Sequence, residues 1–142
     1  EGRWNQLHRK PENETDTLAV MWKLEATEGG LPFAEFKTLE HSPTGTAFIC
    51  HIKEGKDDAK QLYTIVEAKY LYYGIDKLGH HMGQTQHVIC WDFGKDKRDG
   101  IEQSGDKPWK FIQRKGDQMV IIYVLSRMPR VKVATEREIR RY

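Results

Sequence analysis

Along this 142-residue chain the spacing of apolar residues changes several times, and each change predicts an element. Residues 1–11 are polar up to Pro11, with Trp4 and Leu7 as their large apolar groups, and read as a lead-in. Asn13 or Thr15 then suits a helix cap, with acids in the first turn. Leu18, Met21, Trp22 and Glu25 follow at helical spacing, Leu24 widens the apolar face, and Gly29-Gly30 ends the helix. After a turn at Leu31-Pro32-Phe33 the period drops to two over Glu35 to His41, which predicts a short strand. Ser42-Pro43-Thr44-Gly45 has turn composition.

From Thr46 to Lys53 the alternation is clearer. Phe48, Cys50 and Ile52 share one face, and Ala47, Ile49, His51 and Lys53 the other. The charged stretch Glu54 to Lys60 is expected to be a hairpin loop, and Leu62 to Lys69 the returning strand. Tyr70 to Tyr73 form an aromatic row before Gly74. Ile75 to Gln86 has helical character weakened by Gly79 and Gly83, so a loop or an irregular helix is expected. His87 to Trp91 predicts a buried strand ending at Asp92. Residues 94–108 are rich in glycine, lysine and aspartate and read as the least ordered region. Lys110 to Gln113, Met119 to Leu125 and Val131 to Val133 predict three more strands, and Thr135 caps a final basic helix, Glu136 to Tyr142. The sum is an α/β (or α+β) single domain over residues 12–142. Its mixed central sheet has about five or six strands and is flanked by helices.

Composition bounds this picture more than it directs it. Hydrophobic residues make up 38% and charged residues 31%, an ordinary balance for a globular chain. A net charge of +2 does not announce nucleic acid, although Arg127, Arg130, Lys132, Arg137, Arg140 and Arg141 crowd the last stretch. Cys50 and Cys90 lie in apolar runs and read as buried thiols of a reducing compartment. There is no membrane-spanning run and no signal-peptide pattern. An intracellular fragment of a longer protein is expected, because the first residue is Glu1. Asn13-Glu14-Thr15 matches a glycosylation sequon formally, an accident in such a chain.

The best chemical lead is Glu67-Ala68-Lys69. On a strand, Glu67 and Lys69 share a face, about 7 Å apart along the backbone. A carboxylate beside an ammonium suits a metal ligand next to a phosphate-facing cation; the plainer reading is a salt bridge at a strand end. Hydrolysis of a phosphodiester needs a divalent metal, and Mg²⁺ needs several hard oxygen donors. His80, His81, His87 and Cys90 lack the spacing of a zinc site, and His80 and His81 read as loop residues with phosphate contact as the minority role. Asp92 caps the next turn or faces Glu67. The tyrosine row stacks on bases or packs a partner chain.

The order helix, strand, turn, strand, Val66-Glu67-Ala68-Lys69, then Val88-Ile89-Cys90-Trp91-Asp92 resembles the PD-(D/E)xK, restriction-endonuclease-like superfamily. The closest likeness is to a domain C-terminal to GHKL ATPase modules in microrchidia-like proteins, over roughly residues 12–130. The resemblance implies catalytic roles for Glu67 and Lys69, Mg²⁺ as cofactor, nucleic acid as partner and a nuclear location. Lys69, His80, His81, Arg127 and Arg130 are then the candidates for nucleic-acid contact. The sequence departs from the family at one position: where an aspartate is expected, on the strand before Glu67, it has Ala47. Glu14, Glu40 and Asp92 are the candidates for a displaced metal carboxylate. Three functions follow as expectations. The leading one is a degenerate nuclease-fold domain that binds nucleic acid or a protein partner. The others are an active Mg²⁺-dependent nuclease and a dimerisation or scaffold domain.

Overall fold

A computed structural model describes residues 6–41, 47–78, 85–94, 100–134 and 137. It shows a single domain built on a mixed seven-stranded sheet. In chain order the elements are β1 (Gln6–His8), α1 (Glu14–Glu25), β2 (Glu35–His41), β3 (Ala47–Lys53), β4 (Gln61–Tyr72), β5 (Thr85–Phe93), β6 (Ile101–Gln103), β7 (Lys110–Lys115), β8 (Gln118–Val124) and β9 (Val131–Val133). The large sheet runs β2-β3-β4-β5-β8-β7-β6, and β1 and β9 form a separate parallel pair. β4, β5 and β8 are parallel neighbours at the centre, and antiparallel strands flank them on both sides.

The sheet is larger than the five or six strands expected. Residues 101–103, inside the stretch expected to be least ordered, pair with β7 and add the far edge strand. The lead-in also carries a strand, because its backbone groups at Gln6–His8 find partners in β9, more than a hundred residues away. Among the described residues one α-helix, α1, flanks the sheet. Of Ile75 to Gln86, expected as a loop or an irregular helix, residues 79–84 lie outside the described residues. Ile75–Lys77 makes a single 3-10 turn, and β5 already begins at Thr85. The turn at residues 42–45 and all but one residue of the expected final helix lie outside the described residues.

α1 forms where the sequence expects it. Asn13 is the cap, its side-chain oxygen accepting from the Asp16 N–H at 2.8 Å, while the Asp16 carboxylate accepts from the Glu12 N–H at 3.1 Å. The first bond satisfies a donor that the first helical turn leaves open, a contribution of about 1 kcal/mol, and the second fixes the chain just before the cap. The residue of the formal sequon is thus engaged in capping. Leu18, Val20, Met21 and Leu24 turn inward onto Phe48, Cys50, Ile52, Val66 and Ala68. Each large apolar side chain buried there contributes roughly 1.5–3 kcal/mol. At the helix end the Glu25 carboxylate accepts from both the hydroxyl and the backbone N–H of Thr38, tying α1 to β2.

α1 therefore covers one face of the sheet. The opposite face has its own cluster, Val88, Cys90, Val120, Ile122 and Val124 with Phe111, Tyr72 and Phe93, against which Ile75 and Leu78 of the β4–β5 connection pack. Gln113 anchors the start of that connection by accepting from the Ile75 N–H at 3.0 Å and from the Tyr72 hydroxyl. A Cβ at Gly94 would sit 2.3 Å from the Tyr73 ring, so any side chain there would push the ring aside.

Candidate functional site

The site begins with the pleat of β4. Val66 and Ala68 are fully buried toward α1, so Glu67 and Lys69 point to the other face. β4 continues to Tyr72, because Leu71 and Tyr72 pair with Asp92 and Phe93 of β5. Glu67 and Lys69 consequently stand inside the strand and not at its end. Lys69 Nζ lies 3.2 Å from Glu67 Oε1, with the Lys69 side chain 27% and that of Glu67 13% exposed. From the next strand Gln86 Nε2 donates to Glu67 Oε2 at 3.2 Å. Lysine and amide together hold the carboxylate in one orientation.

Directly across β3, Ala47 is the register partner of Glu67. Residues opposite each other in an antiparallel pair share a face. Ala47 therefore lies where a second carboxylate facing Glu67 would have to stand, and it offers a methyl group.

The other candidates are dispersed. Glu14 rides on the first turn of α1, the element that covers the opposite face of the sheet. Asp92 lies on β5 four residues beyond Val88, the register partner of Glu67, which is about 13 Å farther along the sheet. Its Oδ1 accepts from the Phe93 N–H at 2.8 Å and lies 3.8 Å from Arg127 Nη2. Glu40 shares the face of Glu67, since it pairs with Ile49, but stands two strands away, about 10 Å. His80 and His81 lie outside the described residues. Arg127 closes a 3-10 turn after β8 and stacks over Phe93 and Phe111, 5.3 and 5.4 Å from the ring centroids. Arg130 follows just after this turn, partly buried.

Mg²⁺ takes near-octahedral oxygen coordination through carboxylates and water. The described residues present one carboxylate at this position, already engaged by Lys69 and Gln86, and an alanine facing it. Among the described residues no group of three or more His, Cys, Asp or Glu side chains is placed to hold a metal ion. This donor set does not fit Mg²⁺, and no catalytic step through a metal follows from it.

The thiols are free and buried. Burial, and to a lesser degree the nearby Glu25, pushes the Cys50 thiol up to about 12, and burial raises Cys90 further. Both are protonated at neutral pH and inert as nucleophiles. Cys90 and His87 alternate to opposite faces of β5.

Two polar features escape a reading of the sequence. Gln86 falls in a segment expected to be loop or irregular helix; the alternation of β5 begins early enough to include it, and that was the available signal. The second is Glu54, whose carboxylate receives Lys110 Nζ at 2.7 Å and Lys107 Nζ at 3.5 Å. Glu54 lies in the expected charged loop, and no local pattern links it to a lysine more than fifty residues away. With Asp58, Gln61 and Ile52, this trio lines an open cavity of about 390 Å³. Among the described residues no helix is long and apolar enough to cross a membrane.

No family model, no curated protein and no solved structure matches this chain.

Proposed function

We propose that this chain is a PD-(D/E)xK-like domain with a degenerate metal site, acting as a nucleic-acid-binding module in a nuclear, genome-handling or silencing protein. One observation carries the reading: Ala47 stands in register opposite Glu67, while Lys69 lies within ion-pair distance of the same carboxylate. The chain order supports it too. A helix, two antiparallel strands, the Glu-x-Lys strand and a parallel strand reached by a crossover follow one another as the resemblance implies. A carboxylate held by Lys69 and Gln86 is suited to keeping the strands in register and not to catalysis.

The test uses labelled single- and double-stranded DNA and RNA with Mg²⁺ or Mn²⁺. Binding that weakens with salt, without cleavage, is the expected result. Ala47→Asp is expected to create Mg²⁺ binding measurable by calorimetry, since it adds a second carboxylate facing the first. Cleavage abolished by Glu67→Ala would establish an active nuclease instead, and absence of any nucleic-acid binding would sink the module reading.

A further inference from the structure

The face of β2–β4 that carries Glu67 extends well beyond it. An antiparallel flank with one face in water ordinarily places polar residues outward. Here Tyr63 is 72%, Ile65 60% and Leu39 40% exposed. Ile65 lies directly opposite Ile49, so the apolar surface continues across two strands.

Tyr63 is the more telling residue. Its φ is +54°, and among the described residues no other non-glycine has a positive φ. A bulky L-residue adopts this conformation at an energetic cost. The strain falls where the β3–β4 register shifts between Cys50 and Ile52. Its effect is to hold the phenol ring in solvent, braced edge-on against His51 with centroids 5.4 Å apart. Two lysines neighbour His51, the residue that braces the ring: Lys37 pairs with it across β2–β3, and Lys53 lies two residues beyond it on the same face. On this face Glu35 is committed to Lys60 at 3.6 Å and Glu67 to Lys69. Lys37 and Lys53 enter no ion pair among the described residues; Glu40 is the acid left over, toward the far end of β2.

We propose that the open face of β2–β4 binds single-stranded nucleic acid, Tyr63 stacking on a base and Lys37 and Lys53 meeting phosphates. This deepens the binding-module reading and rests on it. A protruding ring stacks on an unpaired base, which presents its face; in a duplex those faces are already stacked. A second copy of the chain is the weaker fit. Three strands by seven residues cover about 14 by 23 Å, on the order of 330 Å², short of the ~800 Å² per partner of a stable pair.

The experiment is fluorescence anisotropy of the 142-residue chain with a labelled mixed-sequence single strand and with its duplex, at rising salt. The single strand is expected to bind more tightly. Tyr63→Phe keeps the affinity within about twofold, because the stacking face is retained, whereas Tyr63→Gly weakens it about tenfold or more. Lys37→Gln with Lys53→Gln flattens the salt dependence. Tyr63→Gly also relieves the positive φ, so its melting temperature should equal or exceed that of the parent, and lost binding cannot then be ascribed to unfolding. Parent-like binding by Tyr63→Gly, or a preference for duplex, overturns this surface and leaves the module reading intact. A parent chain that binds no nucleic acid overturns both. A concentration-dependent dimer in sedimentation that Tyr63→Gly dissolves replaces the nucleic acid with a second copy.

Discussion

The two flanks of β4 differ in what covers them. Toward β5 and β8 the sheet is buried on both sides: Ile89 and Trp91 face α1 and its neighbours, while Val88, Cys90, Ile122 and Val124 face the second cluster. Toward β3 and β2 it is buried on one side only, and the other presents Ile65 and Tyr63 to solvent. Parallel strands need crossovers, and crossovers bring covering chain with them, whereas a hairpin such as β3–β4 reverses without adding a layer. The chemistry gathers at the border. Glu67, Lys69 and Gln86 sit between the covered and the open flank, half-buried enough to be oriented and exposed enough to be reached.

Paired truncations test this contrast most strongly. Ile122→Ala, in the fully covered flank, is expected to cost about 2–5 kcal/mol in urea unfolding, because it removes buried methyl groups and leaves a cavity. Ile65→Ala, on the open flank, should change stability by less than about 0.5 kcal/mol. Equal effects would mean that the open face is covered in solution. Next in size is Glu54→Gln, which strips the carboxylate from Lys110, whose side chain is 12% exposed. A loss of roughly 2–3 kcal/mol is expected, somewhat below that for a wholly buried pair, and should be visible in the same titration.

The smallest effect is a dependence on pH. Burial lowers the proton affinity of His87 from its ordinary value of 6.5; the nearby Glu54 opposes this and Lys110 adds to it. Among the described residues its Nδ1 is buried without a hydrogen-bond partner, and its ring stacks near-parallel to Tyr123. The unfolded chain therefore takes up this proton first as the pH falls. The stability involved is fully present above about pH 6.5 and declines as the pH drops from there toward the folded-state value, by at most about 1.4 kcal/mol per pH unit. His87→Phe should flatten that part of the stability profile; an unchanged slope would assign it to other groups.

Local patterns carried much of this molecule. The span of α1, the alternation of β3, and the apolar cores of β4, β5 and β8 all follow from residues within a few positions of each other. So does the shared face of Glu67 and Lys69, since a pleat has period two whatever surrounds it. Even the relation of Ala47 to Glu67 followed from the alternation of β3, once the hairpin was assumed. What the sequence did not disclose depends on partners far away. β1 is a three-residue strand that exists because a distant strand satisfies its backbone groups. Gln86 reaches Glu67 through a parallel pairing, and Glu54 meets Lys110 across fifty-six residues. Asp92 looked equivalent to the other acids in one dimension; the sheet places it about 13 Å beyond the level of Glu67.

Periodicity thus determined which side chains share a face. Only the tertiary structure decided which face is covered, which acids are neighbours and where the backbone of Tyr63 is strained. The physical reason is that face alternation is a property of one strand, whereas burial, register and strain belong to pairs of strands and to the layers packed on them.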